Sequence, residues 1–120
     1  MTMRATPPLA KTQTAADYVQ RHARNPLTRA HAASVQQAIA ACRAAEDPVD
    51  AAAAVSGLLA AVAECAGSSW LKANADDPDV ARFTALLDSA AEPAPAGGFP
   101  QAGDLDDMLA AVLWAAHGPQ

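Results

Sequence analysis

Apolar residues recur along this chain at three- and four-residue intervals, the repeat of one face of an α-helix. In the stretch from 26 to 46 the stripe is Leu27, His31, Val35, Ala38, Ile39 and Cys42. From 48 to 66 it is Val55, Leu58, Leu59, Val62 and Ala66, and from 78 to 91 it is Val80, Phe83, Leu86 and Leu87. The cleanest run is the last, 104–117, with Leu105, Met108, Leu109, Val112, Leu113 and Ala116. A shorter helix is expected over 14–24, and a single turn at Ser68–Leu71.

Local punctuation supports these bounds. Asn25-Pro26, Asp47-Pro48 and Asp77-Pro78 each place a capping side chain before a proline at the first helical position. The side chain accepts from free backbone N–H groups, and proline there loses no hydrogen bond and already holds a helical φ. Thr14 and Asp17 have the spacing of a capping box, which predicts that the first helix starts at Thr14. Gly67 and Gly118 are natural stops.

The expected fold is therefore all-α: a small bundle of four to five helices, mostly antiparallel. Residues 1–13, with Pro7-Pro8 and no periodicity, are expected to form a flexible arm before a single domain over 14–120. The segment 92–103 holds three prolines and three glycines and is expected to be a loop, with Phe99 pinning it to the body.

Composition sharpens this picture. Of 120 residues, 34 are alanine, whereas Leu, Ile, Val and Phe together number only 20. Alanine favours helix but buries little area, so the core is thin and a second chain is expected to help cover it. Apolar runs such as Ala51–Ala63 fall short of a membrane span, and no secretory leader is apparent. A cytoplasmic location with reduced Cys42 and Cys65 is the default expectation. The Ala, Arg, Asp and Pro bias with only two lysines fits a high-GC, bacterial source.

Charge is unevenly placed. Residues 1–45 carry six Lys/Arg and one acid, while residues 46–120 carry two bases and twelve acids. Such a split creates opposed faces or lets the two halves attract each other.

Candidate chemistry is sparse. His22, His31 and His117 fall in no metal-ligand spacing, so no metal or cofactor is expected. The clusters Asp76-Asp77-Asp79 and Asp104-Asp106-Asp107 lie at helix starts, where capping and the helix dipole account for them. Arg21, Arg24 and Arg29, with His22 and His31, form a candidate basic patch straddling a turn. A pI near 4.9 and few aromatics argue against nucleic acid.

Trp114, at the edge of the last apolar stripe, and Trp70 are candidate interface anchors, together with Leu113 and Met108. The expected function is a non-enzymatic helical interaction module, an adaptor, inhibitor or regulatory subunit, acting through an amphipathic face on a protein partner or a second copy. The alternative is a small helical enzyme or accessory subunit of a bacterial pathway with a pocket between helices, involving His31, Cys65 and Trp70.

Overall fold

The computed structural model describes residues 9–90 and 102–118. The described residues form six helices: α1 (Ala10–His22), α2 (Pro26–Ala44), α3 (Pro48–Ala66), α4 (Ser68–Ala73), α5 (Pro78–Ala90) and α6 (Ala102–His117). The protein is an all-α bundle, as the periodicity predicts.

The three proline-led starts form as expected. Asn25 accepts from the Leu27 N–H at 2.8 Å, and Asp47 from the Asp50 N–H at 2.8 Å. Asp77 accepts from Asp79 at 2.9 Å and from Val80 at 3.3 Å. Gly67 ends α3 and begins α4 at φ 94°, a conformation that a side chain would strain.

Five helices, α1, α2, α3, α5 and α6, surround the core, with α5 packed on α6 and α3 through Val80 and Phe83. α2 is antiparallel to α1, since Gln13 meets Arg43 and Gln20 meets Gln36. It is also antiparallel to α3, placing His31 beside Glu64. α1 and α6 depart from the expected antiparallel pattern. Thr12 meets Asp106 and Tyr18 meets Trp114, so these two neighbours run the same way.

The core is built on Phe83, Ile39, Leu58, Leu59, Leu109, Leu113 and several valines, all under 2% exposed. Alanines at 15, 16 and 32 are also fully buried and let the helix backbones come close.

The first helix corrects the expected boundary. It begins at Ala10, so residues 10–13 belong to the bundle and not to an arm. Thr14 caps nothing; its hydroxyl donates to the Ala10 carbonyl one turn back. Asp17 pairs with Arg21 on the helix surface. The cap comes instead from α6, where the Asp106 carboxylate accepts from the Lys11 and Thr12 N–H groups at 3.0 and 2.7 Å. Leu9, just before the helix, adopts a left-handed φ of 65° with its side chain buried. That conformation costs a non-glycine residue roughly 1–2 kcal/mol, which burial of the leucine side chain offsets.

Residues 1–8 of the expected arm lie outside the described residues, as does the expected loop up to residue 101. Ala102 and Gly103, assigned to that loop by the sequence, are the first residues of α6.

α3 also exceeds its sequence reading. Its window Val49–Ala66 has a mean hydropathy of 1.6 and is by length and composition sufficient to cross a membrane. A third of that window is buried inside the bundle.

Candidate functional site

A concavity lies at the end of the bundle where α1 gives way to α2 and where α6 stops. It is a cleft of about 560 Å³ lined by Tyr18, His22, Arg24, Asn25, Thr28 and His117, among others. Tyr18 and His22 sit one helical turn apart on α1, so they share a face. Their ring centroids are 4.4 Å apart. Trp114 of α6 backs the pair, 5.1 Å from the Tyr18 ring at a 54° tilt. The three rings form a tilted ladder of the kind aromatic quadrupoles favour.

His117 closes the other side. Its Nε2 lies 2.6 Å from the carbonyl of Cys65, in the last turn of α3. A carbonyl can only accept, so Nε2 carries the proton and donates it. This fixes the ring and satisfies a helix-end carbonyl that has no partner within its own helix. Gly118 follows, its N–H donating to the Trp114 carbonyl at 2.8 Å. Any side chain at Gly118 would collide with Trp114.

The three candidate arginines are all exposed, yet they do three different jobs. Arg21 pairs with Asp17 at 3.1 Å. Arg29 reaches back to the Ala23 and Arg24 carbonyls at 2.8 and 3.2 Å, bracing the α1–α2 turn. Arg24 alone lines the cleft.

The candidate interface residues also divide. Leu113 is fully buried and Met108 is 6% exposed, so both belong to the core and neither is on the surface. The α6 apolar face is used up against α1, α3 and α5. Trp114 and Trp70 are half-buried at the core margin. Sequence reasoning put none of Tyr18, Asn25, Thr28 and His117 in a site. The i, i+4 spacing of Tyr18 and His22 was the one available signal, and only the fold brings His117 to them.

The residues expected to carry the enzyme alternative lie apart. His31 faces Glu64 at 3.5 Å beside a shallower, mainly apolar cleft of about 390 Å³. Cys65, next in sequence to Glu64, points into the core at 3% exposure, and burial pushes its thiol up to about 11. A thiol held protonated is a poor nucleophile. The fold therefore does not bring His31, Cys65 and Trp70 to one pocket. Among the described residues no group of three or more His, Cys, Asp or Glu side chains is placed to hold a metal.

The two charge halves meet within the chain. Lys11 bonds Asp107 at 2.6 Å across α1 and α6, and that carboxylate raises the lysine's pKa. The fold and site thus define a small helical bundle with a polar cleft at one end. Comparison with protein families, with curated proteins and with solved structures finds no match.

Proposed function

We propose that this protein is a non-enzymatic helical interaction module whose docking face is the first half of α3. The observation that supports this is Gly57. Glycine inside a helix costs roughly 0.5–1 kcal/mol relative to alanine. Gly57 is exposed, and a methyl group there would meet nothing within 4 Å. Among the described residues no contact requires a glycine at this position. A second helix approaching closely would.

The surroundings agree. No residue from Val49 to Gly57 is buried, although the segment is almost wholly apolar. Val49 is 78% exposed. At 100° per residue, Val49, Ala53, Gly57 and Ala60 fall on one narrow exposed stripe. Asp50 and Glu64, both exposed, flank it. Two copies packed through this stripe would bring acids together. The fitting partner is a different protein presenting a helix with small central residues and flanking Lys or Arg. This moves the expected interaction surface from α6, whose apolar face is buried, to α3.

Native mass spectrometry of gently purified protein, with Ala53→Arg as the control, tests the reading. A co-purifying protein lost in the variant supports it. A dimer lost in the variant supports an interaction module but makes the partner a second copy. A bare monomer in both overturns it. Retention on phosphatidylcholine vesicles, with no bound protein, overturns it in favour of a membrane-seated α3.

A further inference from the structure

We propose that the cleft at the α1–α2 turn binds a small organic anion: a planar ring bearing a phosphate or carboxylate group. This goes beyond the interaction reading and does not depend on it, because the cleft lies away from the exposed stripe of α3.

The first ground is the sign of the lining. One guanidinium, from Arg24, and two imidazoles, from His22 and His117, line the cleft, and among the described residues no Asp or Glu does. The chain as a whole carries thirteen acids against eight Lys and Arg, so a cavity without acids stands out from the rest of the surface. Arg24 forms no ion pair among the described residues, whereas Arg21 and Lys11 are both paired. A guanidinium presents a planar fork of donors matched to carboxylate and phosphate oxygens.

The second ground is that four carbonyls around the cleft are already engaged. The Ala23 and Arg24 carbonyls are covered by the Arg29 guanidinium, and the Trp114 carbonyl takes the Gly118 N–H. The Cys65 carbonyl is taken by His117. Thr28 adds a hydroxyl at the first turn of α2, where Pro26 has no N–H and the Leu27 N–H is taken by Asn25.

The third ground is shape. The cavity, at about 560 Å³, falls within the range for drug-sized ligands. His22, stacked against Tyr18 and exposed on its outer side, offers one flat face, and Tyr18 is in turn braced by Trp114. A planar ring can lie on that wall while its anionic group meets Arg24. Stacking on such rings is worth several-fold in affinity.

The test titrates the full chain with phenyl phosphate, benzoate and inorganic phosphate, following backbone amide shifts by NMR. Saturable shifts centred on His22, Thr28 and Gly118 with phenyl phosphate or benzoate are expected, and the stronger of the two identifies the anionic group. Either should bind at least about fivefold more tightly than inorganic phosphate. Arg24→Ala should weaken binding about tenfold or more, while Lys72→Ala, which removes the same charge outside the cleft, should not. Three results would each overturn the proposal. They are no saturable shift at these residues with either aromatic anion, equal affinity for inorganic phosphate, and binding unchanged in Arg24→Ala.

Discussion

The Asp106 carboxylate accepts two hydrogen bonds from Thr12, one from its backbone N–H at 2.7 Å and one from its hydroxyl at 2.6 Å. Both residues are buried, Thr12 fully and Asp106 to 8% exposure. A side chain of the last helix thus caps the first across 94 positions of sequence. The same contact sets the parallel register of α1 and α6, and so the place where Trp114 meets Tyr18. Asp106→Ala would take the acceptor from the Thr12 and Lys11 N–H groups, while the Thr12 hydroxyl could still donate to the backbone carbonyl of residue 106, 3.2 Å away. Loss of about 2–4 kcal/mol of stability is expected, since each orphaned buried group costs about 1–3 kcal/mol. Asp106→Asn, which keeps one acceptor oxygen, should lose less. Urea denaturation of the three proteins checks the order.

Cys65 and Cys42 should differ in reactivity. Burial raises both thiols, Cys65 to about 11, but Cys42 is only half-buried. At mildly alkaline pH a thiol reagent should label Cys42 first and reach Cys65 only as the protein opens. Mass spectrometry of timed samples reads the order, and equal rates at the two cysteines would contradict the packing of α3.

The same thiol predicts a pH dependence of stability. Its folded pKa, about 11, lies above the ordinary value of 9.0, so between these two values the unfolded chain has given up the proton and the folded chain has not. Stability is full below about pH 9 and falls as pH rises toward 11, by roughly 2–3 kcal/mol in all. Cys65→Ala should flatten that part of the profile. Comparing the two proteins in alkaline urea titrations cancels the contribution of lysines and Tyr18.

Gly57→Ala separates folding from docking. The isolated chain should become more stable by about 0.5–1 kcal/mol, because alanine favours helix and the added methyl group meets nothing. If α3 docks a partner helix closely, the same substitution should weaken association. A thermal melt reads the first effect and a pull-down of the partner reads the second. Gain in both would place the partner elsewhere.

Arg29→Ala should loosen the α1–α2 turn by freeing the Ala23 and Arg24 carbonyls. A loss of about 1 kcal/mol is expected from two exposed bonds, and the amide shifts of His22 and Thr28 should broaden. Arg21→Ala, which breaks only a surface pair with Asp17, should change stability by less than about 0.5 kcal/mol.

What the chain determined by itself is what neighbouring residues decide together. The starts of α2, α3 and α5 were legible because Asn25, Asp47 and Asp77 cap N–H groups only two or three positions ahead. The apolar stripes were legible because each helix carries its own repeat, and Val35, Ile39, Leu58, Leu59, Val62, Val80, Phe83 and Leu109 are buried, whereas Leu27, the first residue assigned to the α2 stripe, is 63% exposed in the helix's first turn. Tertiary structure decided the rest. α1 begins at Ala10 because its cap is Asp106, and no local pattern could place a carboxylate of α6 there. Met108 and Leu113 were expected at an interface and are buried in the core, since a helical repeat says which residues share a face but not what covers it. The cleft needed the ends of α1, α2 and α6 in one place, a matter of packing between helices far apart in sequence. Gly57, by contrast, became informative only when its surroundings were seen to be open.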